Sequence, residues 1–119
     1  KIIEEEKLVE QVKTETGPYL KKRWQEFNDH PLVAEVRNAG LLGALELSAD
    51  KKTRKPFPEP GKTGYLCREI CFRNGLVMRS VKNTMIVSPP LTITPRQIDE
   101  MFDLAWKCLD ETARMAGII

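Results

Sequence analysis

The sequence has one histidine, His30, and three cysteines, Cys67, Cys71 and Cys108. That supply of soft ligands is thin for a metal centre: His30 stands directly before Pro31 and at no ligand spacing from any cysteine. Cys67 and Cys71 are four residues apart, which on a helix puts both thiols on one face without the geometry a disulfide needs. Reduced, packed cysteines are predicted. No apolar run approaches the ~18 residues of a membrane span, and the opening KIIEEEKLVE is acidic, the opposite of a signal or transit peptide. A cytoplasmic protein without a membrane partner is expected. Charge of one sign is also lacking: 19 Lys and Arg against 17 Asp and Glu leave a net charge of +2, too little for a nucleic-acid footprint. The basic cluster Lys51, Lys52, Arg54 and Lys55 is diluted by Asp50 and reads as a solvated loop. Aromatic residues are few, and the strand candidates lack the paired aromatics of an RNA-binding sheet.

What is present fits one soluble globular domain over residues 1–119, with 41% hydrophobic and 30% charged residues. The chain starts at Lys1 rather than methionine, and Leu8, Val9, Val12, Leu20, Trp24 and Phe27 follow a helical stripe from the outset. A piece of a longer protein is expected. Gly17-Pro18 interrupts the stripe, because proline lacks a backbone donor and crowds the preceding turn; a kink or break is predicted there. Asn28-Asp29-His30-Pro31 ends the helix.

Val33–Asn38 and Leu41–Leu47 read as two antiparallel strands around Ala39-Gly40, with Gly43 marking a close approach of a neighbouring backbone. Ser48–Gly61, with Pro56, Pro58 and Pro60, is predicted to be a long exposed loop, either functional or a plain connector. Gly64–Asn74 is an amphipathic helix carrying Leu66, Ile70 and the cysteine pair on one face, stopped by Asn74-Gly75. Leu76–Arg79 and Thr84–Ser88 read as two short strands around Ser80–Asn83, closed by Pro89-Pro90. Thr94-Pro95-Arg96-Gln97 is a capping box with proline at the first helical position, opening a helix that carries Ile98, Met101, Phe102, Ala105 and Leu109 and runs to about Met115. The element order predicts an α+β fold, helices on one face of a small, mainly antiparallel sheet. Periodicity names no reaction.

Particular residues say more. HPLVAEVRNAGLLGALEL and GLVMRSVKNTMIVSPPLTITPRQIDEM, within residues 30–109, resemble the C-terminal part of class III aminotransferases, the fold-type I enzymes that use pyridoxal phosphate, and most closely their amine–pyruvate (omega) branch. The resemblance implies that this chain is the C-terminal portion of the small domain, one wall of a substrate cleft, in a homodimeric enzyme that moves an amino group from a primary amine to a 2-oxo acid such as pyruvate. It further implies that pyridoxal 5'-phosphate is held by a large domain of the same polypeptide that is not part of this sequence. No lysine here sits in a matching motif, so no catalytic and no cofactor-binding residue is assigned, and the isolated segment is expected to be inactive.

One substrate contact is assigned. Leu76 and Met78 alternate with Val77 and Arg79, which puts the Arg79 guanidinium on a sheet face or rim, and its planar fork suits a carboxylate. On residues alone, an exposed edge-strand arginine that discourages aggregation is the favoured reading. By the resemblance, Arg79 binds the carboxylate of the 2-oxo acid and swings aside for an amine without one. Arg37 is expected to be structural, paired with an acid such as Glu35 or Glu46, or exposed; Trp106 and Met101 read as core or interface residues, and Cys71, Val81 and Ser88 lie on neighbouring elements. A free-standing α+β module that binds a ligand without catalysis is the alternative.

Overall fold

A computed structural model describes residues 2–53, 55, 57–59 and 61–118, with side chains described from residue 7 onward. The chain's first residue and the loop positions Arg54, Pro56 and Pro60, which entered the reading above, lie outside that set.

Helix α1 (Ile2–Gln11) runs through a π-helical turn, Val12–Thr16, into α2 (Gly17–Gln25). The interruption predicted at Gly17-Pro18 therefore takes the form of one widened turn. The Gly17 N–H donates to the Val12 carbonyl, five residues back, and the wider ring accommodates a proline that has no N–H of its own. Only glycine fits at residue 17, where a Cβ would stand 2.3 Å from the Val12 oxygen. A 3-10 turn, Glu26–Asp29, ends the helix as predicted.

Four strands follow in the spatial order β1-β2-β4-β3, every neighbouring pair antiparallel. They are β1 (Val33–Ala39), β2 (Leu42–Leu47), β3 (Arg79–Val81) and β4 (Thr84–Val87). Helix α3 (Lys62–Arg73) separates the two hairpins and α4 (Pro95–Met115) closes the chain. The α+β architecture is thus the one expected.

One strand moved. Leu76–Met78, predicted as strand, lies outside the sheet, and β3 begins only at Arg79. The reason is the end of α3: the Leu76 N–H donates to the Cys71 carbonyl at 2.8 Å and the Gly75 N–H to Phe72 at 3.1 Å, a Schellman arrangement with Gly75 at φ 85. The Leu76 amide is committed to the helix cap and cannot join a ladder. Instead of four residues, the β3–β4 connection has two, Lys82 and Asn83, since Val81 pairs with Thr84.

Side-chain alternation gives the sheet two unlike faces. Val36, Leu45, Leu47, Met85 and Val87 point to the helices, where Leu20, Trp24, Phe27, Ile70 and Ile98 are buried to 1% exposure or less. Gly43 does mark a close approach, but the neighbour is a side chain: the Trp24 indole would lie 2.6 Å from a Cβ at residue 43, and its Nε1 donates to the Ala44 carbonyl at 3.2 Å. Phe27 continues the aromatic stack to Phe102 and Trp106. The capping box of α4 is complete, Gln97 N–H to Thr94 Oγ1 at 3.2 Å and Thr94 N–H to Gln97 Oε1 at 3.0 Å.

The segment after β2 is less free than its composition suggests. The Ala49 N–H donates to the Lys55 carbonyl at 2.9 Å, the Lys55 N–H donates to the Asp50 carbonyl at 3.1 Å, and Phe57 is buried. Lys51, read as a solvated loop residue, donates to the carbonyls of Asn28 and His30, where a cation suits the carbonyl end of a helical segment.

Candidate substrate-binding face

The second face of the sheet carries Glu35, Arg37, Ala44, Glu46, Thr84, Ile86, Arg79 and Val81, all exposed or half-exposed. Register aligns them in two rows. Arg37 pairs with Ala44, Ala44 with Ile86, and Ile86 with Arg79; beside that row run Glu35, Glu46, Thr84 and Val81. The two arginines therefore stand at opposite ends of one row, three strand spacings or ~14 Å apart.

Their electrostatic settings differ. Arg37 lies 2.7 Å from a Glu35 carboxylate oxygen and 3.8 Å from Glu46, the structural pairing its sequence position suggested. Arg79 is exposed on the edge strand, and among the described residues its guanidinium has neither an ion-pair nor a hydrogen-bond partner. Its neighbours on that face are apolar: Ile86 across the ladder and Val81 two residues on. A cation with all five N–H donors unused, set among aliphatic side chains, can take a carboxylate on two parallel hydrogen bonds while the substituent rests on hydrocarbon.

The hairpin holding Arg79 is fastened at its turn. Lys82 takes φ 56, a conformation few L-residues adopt. The Gly64 N–H in the first turn of α3 donates to Asn83 Oδ1 at 2.9 Å, and the Leu47 N–H donates to the Asn83 carbonyl at 2.9 Å. Residue 64 must be glycine for this contact, because a Cβ would lie 2.0 Å from the Lys82 carbonyl oxygen. The sequence reading missed both Asn83 and Gly64; a Lys-Asn pair between two alternating runs was the only local signal. An open cleft of about 450 Å³ borders this turn, lined by Glu46, Ser48, Val81, Lys82 and Thr84 among others.

The other candidates are scattered. Val81 shares the open face with Arg79, whereas Cys71 is on the buried side of α3 and Ser88 is exposed past the end of β4. All three cysteines are free and buried. The adjoining Cys67 thiol and burial push the Cys71 thiol far above its ordinary value, and burial raises Cys108 as well; protonated thiols of this kind are packing groups, not nucleophiles. His30 is fully buried, with Nδ1 accepting from the Leu32 N–H at 3.1 Å, Nε2 2.8 Å from Asp110 Oδ1, and its ring edge-on to Trp106. Among the described residues no group of His, Cys, Asp or Glu has the geometry to hold a metal ion, and no helix is long and apolar enough to cross a membrane.

A pyridoxal phosphate site needs an enclosed lysine and a carboxylate against the pyridine nitrogen. The lysines described here do not fit: all are exposed except Lys51, which is half-buried and spends its ammonium on backbone carbonyls. Among the described residues no lysine is enclosed in the way such a site requires.

A sequence model of aminotransferase class III matches residues 1–109. A putrescine–pyruvate aminotransferase of Pseudomonas aeruginosa is 62% identical over 113 residues, which are 95% of this chain and 25% of that protein. A mitochondrial gamma aminobutyrate transaminase of Solanum lycopersicum is 32% identical over 96% of this chain and 22% of its own length. Among solved structures, the omega transaminase from Pseudomonas jessenii in complex with PMP superposes with a TM-score of 0.88 at 32% identity, covering 98% of this chain and 26% of that one. The PMP-bound aminotransferase from Vibrio fluvialis gives 0.84 at 30% identity, over 92% and 24%. The chain spans about a quarter of the length of the curated relatives it matches.

Proposed function

This chain belongs to the class III aminotransferases, and on that premise we propose that the polypeptide it forms part of transfers an amino group from a primary amine to a 2-oxo acid such as pyruvate. In this reading residues 1–119 are the C-terminal portion of the small domain, its open sheet face is one wall of the substrate cleft, and the enzyme works as a cytoplasmic homodimer. The relative that is 62% identical is named for putrescine and pyruvate, which supports a small aliphatic amine as donor and pyruvate as acceptor. Pyridoxal phosphate, held by the rest of the polypeptide, would supply the electron sink for moving the amino group.

Arg79 is the residue of this segment that meets substrate. The observation carrying the proposal is that it is exposed on the face opposite the helices and has no partner there among the described residues. A free guanidinium binds and orients the carboxylate of the incoming oxo acid. When the amine arrives without a carboxylate, the long side chain swings toward solvent and leaves Ile86 and Val81 as an apolar surface, so one pocket serves both half-reactions. A fixed short cation could not do this.

The test is Arg79→Ala in the full-length enzyme. The kcat/KM for pyruvate should fall by about 1.5–3 kcal/mol, the range for a hydrogen bond to a charged group, while the amine half-reaction changes far less. Equal losses in both half-reactions would mean that Arg79 serves the fold instead.

A further inference from the structure

The strand that carries Arg79 is too short to set its own register. β3 has three residues and lies at the sheet edge. A slip of one residue against β4 would carry Arg79 from the open face to the face covered by helices, because successive side chains alternate. The turn cannot hold the register through its own conformational preference, since Lys82 sits at φ 56 where glycine would be at ease.

Asn83 supplies what the turn lacks. Its side-chain oxygen accepts the Gly64 N–H at 2.9 Å, an amide of the first turn of α3 with no acceptor inside the helix. Its main-chain oxygen accepts the Leu47 N–H, also at 2.9 Å, at the end of β2. The turn is thus tied to a helix and to a central strand at once, and α3 seats against it closely enough that residue 64 has no room for a Cβ.

We propose that Asn83 is the positioning residue for Arg79: without touching substrate, it locks the β3–β4 turn to α3 and so fixes the face on which the guanidinium meets the oxo-acid carboxylate. The proposal rests on the reading of Arg79 as the carboxylate contact. It differs from a general structural role because only the half-reaction that uses a carboxylate depends on where Arg79 points.

The experiment uses the full-length enzyme with its cofactor and pyruvate as the probe. Asn83→Ala should raise KM for pyruvate about fivefold, the effect of one lost hydrogen bond between neutral groups, with kcat and the amine half-reaction within about twofold of the parent. Asn83→Asp keeps an acceptor for the Gly64 N–H, suits the positive end of a helix, and should restore KM. Arg79→Ala is measured alongside. If Arg79→Ala leaves KM for pyruvate unchanged, the reading of Arg79 fails and takes this proposal with it. If Arg79→Ala raises KM while Asn83→Ala does not, or if Asn83→Asp fails to rescue, the positioning role alone is overturned. Should Asn83→Ala not fold, Asn83→Ser is read by the same split, and equal loss in both half-reactions overturns the role.

Discussion

Arg37 and Arg79 occupy the two ends of one cross-strand row on the open face of the sheet, yet among the described residues only Arg37 has a carboxylate beside it, Glu35 at 2.7 Å. The same residue type is neutralised at one edge and left unpaired at the other. An ion pair in solvent contributes little to stability, so Arg37 is best understood as a solubilising edge residue. The unpaired Arg79 is the one available for an anion.

The bidentate argument makes a graded prediction. Arg79→Lys in the full-length enzyme keeps the charge and loses the fork, so kcat/KM for pyruvate should fall by about 1 kcal/mol, less than for Arg79→Ala. Steady-state kinetics with pyruvate varied at fixed amine would measure it; a lysine variant as impaired as the alanine one would remove the role of charge.

The contact between Gly43 and Trp24 predicts a packing defect. A methyl group at residue 43 would sit 2.6 Å from the indole, and Trp24 is held by its own bond to Ala44. Gly43→Ala should therefore destabilise the fold by about 1–3 kcal/mol, seen as a lower urea midpoint with a changed tryptophan emission. An unchanged midpoint would show that the ring moves without cost.

His30 predicts a pH dependence. Burial lowers its pKa, and the Asp110 contact only partly opposes this. Its Nδ1 is an acceptor for the Leu32 N–H, so protonation there would set two donors against each other. Because the folded state binds this proton less readily than the unfolded chain, stability is fully present above the ordinary histidine value of about 6.5 and declines as pH falls through it toward the lowered folded value. Urea midpoints at pH 7.5 and 5.5 should differ more in the parent than in His30→Asn, and equal differences would place the pH sensitivity elsewhere.

The capping box gives a fourth expectation. Thr94→Ala removes the acceptor for the Gln97 N–H and should cost about 1 kcal/mol, whereas Thr94→Asp, which retains it, should be close to neutral. Thermal unfolding of the two variants side by side would decide, and equal loss would show that the box contributes nothing.

Much of the secondary structure was legible because local chemistry decides it. The α4 cap, the β1–β2 hairpin and the stop at Asn74-Gly75 each depend on residues close together in the chain. The displaced β3 was not legible, because the Leu76 amide had two possible uses, a ladder bond or a helix cap, and alternation alone favours the ladder. Lys51 was likewise read by composition, while its partners Asn28 and His30 lie more than twenty residues away.

For the candidate face, sequence identified Arg79 and its alternation with Met78, and the residues around it carried the resemblance to the family. Which side of the sheet is open followed from where α2, α3 and α4 pack, a matter of three-dimensional burial. The isolation of Arg79 and the bond from Gly64 to Asn83 depend on segments that meet only after folding, whereas Arg37 pairs with Glu35 two residues away, as its sequence position suggested. Short-range hydrogen bonding and apolar periodicity are written along the chain; the environment of a charge is set by what other segments bring near it, and that only the tertiary structure decides.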